Sequence, residues 1–141
     1  MSSLDASKSF ISLSRVFITG ASAAGATLYY CGLVSTPSMF MTVVFPEFKF
    51  DGSVMITASH LPFNRNGLKF FTKDGGAEKA DIAEILEIAS DLEYKENEAK
   101  FSEVDFLSIY AKGLVDTIRE KTGEEKPKKK KKIIVDAGNG S

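Results

Sequence analysis

The five-residue run Ser53–Thr57 constrains the fold most, because it holds three consecutive large apolar residues, Val54, Met55 and Ile56. Such an uninterrupted apolar run is typical of a strand in a sheet that is covered on both faces. A loop rich in turn-forming residues follows at once. The pattern predicts a buried strand that ends just before Ser59, and ligands of open α/β sheets gather beyond the carboxyl ends of strands.

Helical and strand patterns alternate along the rest of the chain. Apolar residues at helical spacing predict three helices, at residues 13–24, 82–89 and 104–118. A further short helix is expected to start at Pro37 and run through Met41, and β-forming residues predict strands at 27–31 and 133–136. We interpret residues 60–71 as a loop, 91–103 as a surface connection and 121–127 as a linker.

This alternation predicts an α/β fold: a three-layer α/β/α domain with a mixed, mostly parallel sheet. The domain is expected to be incomplete at both ends. The first predicted element is a helix with no strand before it, and the strand at 133–136 is followed by only five residues. A single strand cannot cover its own faces or satisfy its edges. The chain is therefore expected to be a fragment of a longer protein.

Composition excludes several classes of protein and site. With one cysteine, Cys31, and one histidine among 141 residues, neither a disulfide framework nor a zinc site of thiolates and imidazoles is expected. A formal net charge of −1 offers no bulk attraction to nucleic acid or to an anionic membrane. No secretory signal or membrane-length apolar stretch is visible in the sequence. These features predict a soluble protein without nucleic-acid or membrane partners.

Ser59 and His60 could be a nucleophile and its base, but these two residues alone favour a polar turn after a core strand. Neighbours on an extended strand point to opposite faces, so His60 is not expected to accept the Ser59 proton. The Gly-x-Ser-x-Gly pattern of a nucleophile elbow is absent from the sequence. Lys69 could hold an anion or be a solvated lysine, and Arg65 could bind phosphate or simply lie at the surface.

Three further features of the sequence are explained more simply by structure than by chemistry. Asn66 and Gly67 are first of all a turn signal. The lysine run 128–132 could bind nucleic acid, but it has no interleaved aromatic residues and follows Glu124 and Glu125. We interpret it as a solvated linker between domains. Cys31 is interpreted as a small core residue.

Several stretches together resemble the α-D-phosphohexomutases, the superfamily of phosphoglucomutase and phosphomannomutase. Residues 57–62, Thr-Ala-Ser-His-Leu-Pro, followed by 66–70, Asn-Gly-Leu-Lys-Phe, resemble the active-site serine signature of that family. Residues 32–37 resemble its Gly-Leu-x-x-Thr-Pro turn, 51–56 its lead-in strand, and 133–140 the first strand and turn of its second domain. The sequence of residues 61–72 is most similar to the plant and algal branch of the family, which implies a cytoplasmic or plastid location.

The resemblance implies an enzyme that interconverts hexose 1-phosphate and hexose 6-phosphate through a phosphoserine and a bisphosphorylated sugar. Ser59, His60 and Lys69 match the catalytic positions, and Thr57, Arg65 and Asn66 are the implied contacts for substrate and phosphate. Mg²⁺ is the implied cofactor, bound in part by the phosphate on Ser59. Leu61 stands where the family usually has asparagine.

The resemblance also divides the chain. Residues 1–122 are expected to form part of domain I, 123–131 a lysine-rich linker, and 132–141 the first strand of domain II. The remaining domains of the full-length enzyme are expected partners, since no stretch resembles the family's aspartate-rich metal loop, its sugar-recognition loop or its C-terminal phosphate-binding loop. Alone, the chain is expected to have little mutase activity. The alternative is a non-catalytic pseudoenzyme or interaction domain.

Overall fold

The computed structural model describes residues 3–62, 65–93, 98, 100–126, 128–130 and 132–136. The helices are α1 (Ser3–Ala23), α2 (Thr36–Val44), α3 (Lys79–Asp91) and α4 (Phe106–Thr122). The strands are β1 (Tyr29–Tyr30), β2 (Ser53–Thr57), β3 (Gly67–Thr72), β4 (Gly75–Gly76) and β5 (Ser102–Glu103). All four predicted helices and the predicted strand β2 are therefore present, although the strand predicted at 27–31 is confined to Tyr29–Tyr30.

Helices α2 and α4 begin where side-chain chemistry favours a helix start. The Ser35 hydroxyl accepts a hydrogen bond from the backbone N–H of Ser38 at 3.3 Å, and Pro37 follows in the first turn. Asp105 caps α4 in the same way as Ser35 caps α2: its carboxylate accepts a hydrogen bond from the backbone N–H of Ser108 at 3.1 Å. Hydrogen bonds from Ser108, first from its side chain and then from its backbone N–H, hold the pKa of the Asp105 carboxyl below its ordinary value.

The described strands form two sheets. β1 and β5 pair in parallel, with Tyr29 opposite Ser102, while β2, β3 and β4 pair antiparallel in that order. The sheet structure is mixed, as predicted, but parallel pairing is confined to β1 and β5. The physical reason is that β2 connects to β3 through a short loop, and such a connection allows only antiparallel pairing.

Strands β3 and β5 correct two sequence interpretations. Residues 60–71 were predicted as one loop, yet β3 lies within them and pairs with β2 over its length, from Ser53 opposite Phe71 to Thr57 opposite Gly67. Turn signals at Asn66 and Asp74 flank this strand and obscure it in the sequence. β5 likewise lies inside the predicted surface connection 91–103.

Two consecutive aromatic residues of β3 establish the layers. The ring of Phe70 contacts Phe17 of α1 at a centroid distance of 6.4 Å, and Phe71 contacts Phe40 of α2 at 5.7 Å. Because consecutive strand residues point to opposite faces, α1 and α2 cover opposite faces of the sheet. The molecule is therefore a three-layer α/β/α domain, as predicted.

Strand β2 was predicted to be buried, but all five of its residues are half-buried. The reason lies beside it: the residues of β1 and four residues of β2, Ser53–Ile56, line a cavity of about 830 Å³. Cys31 also lines this cavity, and its partial burial raises the pKa of the thiol. A raised pKa keeps the thiol protonated, in keeping with its interpretation as a small core residue.

The best-packed region is an aromatic cluster, which we define as Phe45, Phe48, Phe50, Phe106 and Tyr110. Phe106 is fully buried, and its ring centroid lies 5.6 Å from that of Phe45 and 5.3 Å from that of Phe48. Tilted and edge-on contacts at these distances are favourable aromatic geometries. The cluster joins α4 to the end of α2 and to the segment that leads into β2.

No helix or strand is formed by residues 132–136, where a strand was predicted at 133–136. Ile133, Ile134 and Val135 are 79%, 95% and 85% exposed. A strand requires a paired neighbour, and these residues pair with none of the described strands. Residues 137–141, the rest of the predicted second-domain motif, lie outside the described residues, as do Pro127 and Lys131 of the predicted linker.

Candidate functional site

A tight turn follows directly on strand β2 and carries Ser59. The backbone N–H of Leu61 donates to the carbonyl of Ala58 at 3.0 Å, which closes a four-residue turn at 58–61. Ser59 has a φ of 55°, in the left-handed region that side chains with a Cβ rarely adopt. Ser59 and His60 are both exposed, so the hydroxyl and the imidazole lie within reach of a ligand.

Thr57, the last residue of β2, is bonded to this turn. Its Oγ1 accepts a hydrogen bond from the backbone N–H of Ser59 at 2.9 Å. Threonine hydroxyls often bond the backbone two residues ahead, and such a bond makes a small local turn. The sequence analysis assigned Thr57 to substrate binding; its contact in the structure is to the backbone of the serine.

The structure also changes the relation between Ser59 and His60. The Ser59 Oγ lies 3.3 Å from His60 Nδ1, whereas the sequence analysis expected the two side chains to diverge. That expectation was wrong because the strand ends at Thr57. The alternation of strand side chains does not apply to a turn residue with positive φ. The distance is at the long end of a hydrogen bond, and the proton can lie on either side of it.

Lys69 lies on β3, opposite Met55 of β2, while Thr57 is opposite Gly67. Directly opposite residues of an antiparallel pair share a face, so Lys69 and Thr57 lie on the same face of the sheet. They are diagonal neighbours, for which Cα atoms are about 7–8 Å apart. This face is the one covered by α2, since Ser53 on the same face donates to the carbonyl of Met39 in α2 at 2.9 Å. Lys69 is exposed.

Arg65 and Asn66 lie in the same loop as Ser59, near the start of β3. The backbone N–H of Arg65 donates to the carbonyl of Pro62 at 2.9 Å, and the side chain of Arg65 is exposed. Asn66 is half-buried beside Gly67. The structure thus places both residues in the loop whose ends are joined by the Thr57–Gly67 pair. Phe63 and Asn64 lie outside the described residues.

The described residues also bear on metal binding and on polyanion binding. Across the described ranges, no three His, Cys, Asp or Glu side chains group together as metal ligands would. In the lysine run, the ammonium of Lys128 lies 2.8 Å from a carboxylate oxygen of Glu124. This ion pair partly offsets the positive charge of the run.

Comparison with known proteins identifies the family to which this hairpin belongs. The profile described as "Phosphoglucomutase/phosphomannomutase, alpha/beta/alpha domain I" matches residues 5–97. The chain belongs to the phosphoglucomutase/phosphomannomutase family. The match spans β2, the Ser59 turn and β3, so the predicted family is confirmed on the residues that first indicated it.

Curated relatives of this phosphoglucomutase/phosphomannomutase domain are mutases. The chain is 34% identical to a phosphoglucosamine mutase from Prochlorococcus marinus (strain MIT 9515) over 84% of the chain and 26% of the relative. It is 30% identical to a phosphoglucosamine mutase from Caldicellulosiruptor bescii over 92% of the chain and 29% of the relative. The chain therefore spans about a quarter of the length of these relatives. No solved structure matches it.

In the part of the chain that the structure describes, no helix is both long and apolar enough to cross a membrane.

Proposed function

We propose that this domain carries the phosphoserine of a hexose-phosphate mutase, and that Ser59 is the residue phosphorylated. One observation carries the proposal: the Ser59 hydroxyl is exposed at the end of β2 with the His60 imidazole 3.3 Å away. Family membership supports it, because the turn lies inside the matched region. The activity is proposed for the whole enzyme, because this chain spans only about a quarter of the length of its relatives.

The proposed transfer makes one bond and breaks one. The Ser59 Oγ attacks a phosphorus of a sugar bisphosphate, an Oγ–P bond forms, and the P–O bond to the sugar breaks. The Oγ proton passes to His60 or to solvent, and the leaving sugar oxygen takes up a proton. In the other half of the cycle the phosphoserine donates its phosphoryl group to the free hydroxyl of a sugar monophosphate: a new P–O bond to the sugar forms, the Oγ–P bond breaks, and the Oγ takes up a proton. Such transfers depend chiefly on positioning and on stabilising negative charge.

Positive charge near the turn supports the proposal. Lys69 lies on the same face as Thr57, and Arg65 lies in the loop that follows Ser59. A phosphorylated serine carries about −1.5 to −2 charges, so cations in its neighbourhood favour the phosphorylated state. We assign Lys69 to orienting the phosphoryl group. Arg65 and Asn66 are assigned to contacts with substrate phosphate.

Mg²⁺ is the cofactor implied by the family resemblance. The donor set among the described residues, which contains no group of three ligating side chains, does not build a magnesium site. The contribution we assign to this region is a phosphate oxygen on Ser59. When bound, Mg²⁺ would neutralise charge on the transferring group.

The sugar is the open part of the proposal. Glucose was the hexose favoured by the sequence resemblance, whereas the relatives in Prochlorococcus marinus and Caldicellulosiruptor bescii are named phosphoglucosamine mutases. We therefore propose a hexose phosphate substrate, with glucose and glucosamine as the two sugars to test. The domain division at 122 and 131, the low activity of the isolated chain, and a cytoplasmic or plastid location remain predictions.

The decisive experiment measures phosphate on Ser59. The purified chain is incubated with glucose 1,6-bisphosphate or glucosamine 1,6-bisphosphate, and the gain of one phosphoryl group is followed by intact mass and located by peptide mapping. We expect phosphate on Ser59 and none in Ser59→Ala. Ser90→Ala, which removes another exposed serine hydroxyl, is the matched control and should take up phosphate normally.

Two results would contradict this proposal. One is the absence of phosphate on Ser59 after incubation with either sugar bisphosphate, which would favour a non-catalytic domain. The other is equal uptake by Ser59→Ala, which would place the modification elsewhere. The sugar that phosphorylates Ser59 faster identifies the preferred substrate.

A further inference from the structure

The backbone of Ser59 is held in a conformation that serine does not favour. Among the described non-glycine residues, positive φ occurs at Lys49 and Ser59. For an L-residue the left-handed region is unfavourable, because the Cβ atom lies too close to the following carbonyl oxygen. Such strain persists only where the surrounding structure holds it, and it is frequent at functional sites.

The type of turn makes the presence of serine more informative. Ser59 is the first central residue of the turn at 58–61 and has positive φ, whereas His60, the second, does not. A turn with positive φ at its first central residue favours glycine there, because glycine adopts positive φ without strain. A glycine would relieve the strain but would remove the hydroxyl. The serine therefore needs another group to hold the turn.

Thr57 is that group. Its Oγ1 is 2.9 Å from the Ser59 nitrogen, and the bond spans the residue that links strand to turn. Thr57 is itself fixed, because it is half-buried, paired with Gly67 and β-branched, which restricts its side-chain rotation. A rigid acceptor at the end of the strand can fix the direction of the Ser59 N–H and, through it, the backbone of the turn.

We propose that Thr57 is a positioning residue that holds Ser59 in its left-handed conformation, and that this keeps the hydroxyl exposed beside His60 for phosphoryl transfer. The inference rests on the proposed function for its chemical consequence. The conformational part stands on the hydrogen bond and the backbone angle alone. Thr57 thus acts through Ser59, whereas the sequence analysis placed it in contact with substrate.

The test compares two substitutions in the full chain. Thr57→Val keeps the shape of the side chain and removes the hydroxyl, while Thr57→Ser keeps the hydroxyl. Two quantities are measured: the amide hydrogen-exchange rate of Ser59, followed by NMR, and the rate at which glucose 1,6-bisphosphate or glucosamine 1,6-bisphosphate phosphorylates Ser59. Circular dichroism and a denaturant midpoint report whether each variant is folded.

We expect Thr57→Val to increase Ser59 amide exchange and to slow phosphorylation, each by about fivefold to tenfold, the effect of losing one hydrogen bond. Thr57→Ser should restore both rates to within about twofold of the original. Rescue by serine separates a role of the hydroxyl from general packing. A Thr57→Val chain with unchanged Ser59 exchange and unchanged phosphorylation overturns the proposal.

A second background keeps the inference testable if Thr57→Val folds poorly. In Ser59→Gly the residue adopts positive φ without strain, so adding Thr57→Val should cost more stability than it does beside serine, where relaxation of the strained turn offsets part of the lost hydrogen bond. An equal cost in both backgrounds would overturn the proposal. If the unaltered chain takes up no phosphate, the proposed function fails, while Ser59 exchange and this stability comparison still decide the role of Thr57.

Discussion

The Ser59 turn and the aromatic cluster differ in how their side chains are surrounded. Phe106 is fully buried in ring contacts from several elements, in its preferred surroundings. Ser59 is exposed, has positive φ and is bonded mainly to its immediate neighbours. The buried arrangement is stable because the Phe106 ring would lose contacts by moving. The exposed arrangement holds a reactive group where a partner can reach it.

This difference teaches that stability and chemistry can be changed separately in this molecule. A substitution in the cluster should act on the free energy of unfolding, and phosphate uptake should change only as a consequence. A substitution in the turn should act on phosphate uptake with a small effect on unfolding. The predictions below test this separation.

The largest effect is expected for Phe106→Ala. Removing a buried phenylalanine ring costs about 3–5 kcal/mol, because apolar contacts are lost and a cavity remains. Urea unfolding measures the loss, and Leu107→Ala, at a neighbouring residue that is 47% exposed, is the matched control with a much smaller expected effect. Equal losses at the two positions would show that the cluster is not the stabilising core.

Gly113→Val tests how tightly the cluster is packed. A Cβ at Gly113 would lie 3.0 Å from Cζ of Phe45, and Phe45 cannot withdraw easily because it packs against Phe106. Overpacking of this kind costs about 1–3 kcal/mol. The thermal midpoint should fall, whereas Ala111→Val, on an exposed part of α4, should change it little. An unchanged midpoint in Gly113→Val would indicate a loosely packed cluster.

Ser59→Gly should separate the two properties in a single residue. Relief of the left-handed strain exceeds the entropic cost of glycine, so we expect a gain in unfolding free energy of about 0.5 kcal/mol. Phosphate uptake at this position should disappear. Ser90→Gly, inside helix α3, should instead destabilise, because glycine is a poor helix former. A loss of stability in Ser59→Gly would contradict the assignment of strain to Ser59.

The smallest effect concerns pH at the start of α4. The pKa of Asp105 is lowered by its hydrogen bond from Ser108, so its folded-state pKa lies below that of the unfolded chain. Its stabilising contribution is therefore present above the ordinary aspartate pKa and is lost as pH falls through the lowered value.

Asp105→Asn tests this pH dependence, because asparagine can cap the helix without titrating. Urea midpoints at about pH 7 and about pH 3 bracket the titration of aspartate. The stability of the original chain relative to Asp105→Asn should fall at the lower pH. Asp105→Ala should be less stable than the original at the higher pH. A stability difference between the original and Asp105→Asn that does not change with pH would contradict the assignment.

The sequence was most informative where a single short segment determines the structure. Pro37 and the apolar spacing of α4 predicted helices that the structure contains. β3 was missed because Asn66 and Asp74 are strong turn signals and its six residues lie between them. Its strand conformation depends on pairing with β2, which no local pattern reveals. The half-buried state of β2 depends in the same way on a cavity formed by distant elements.

For the candidate site, the motif located the residues but not their arrangement. It selected Ser59, His60 and Lys69, and the structure places Ser59 and His60 in one turn and Lys69 on the adjoining strand. The positive φ of Ser59 had no sequence signal, since serine adopts it rarely. The two-residue spacing of Thr57 and Ser59 was the one sequence feature that could have indicated their hydrogen bond. It predicts such a bond only when the strand is known to end at Thr57.

The distance along the chain between contacting residues differs greatly between the two regions. The turn, His60 and Lys69 all lie within the hairpin of β2 and β3, whose loop of nine residues is closed by the Thr57–Gly67 pair. The contact of Phe45 with Phe106 closes about sixty residues of chain, an entropic cost roughly 1.7 kcal/mol greater. Hairpins form in about 1–10 μs. The segment that carries Ser59 can therefore assemble early in folding, before the distant rings of the cluster have met.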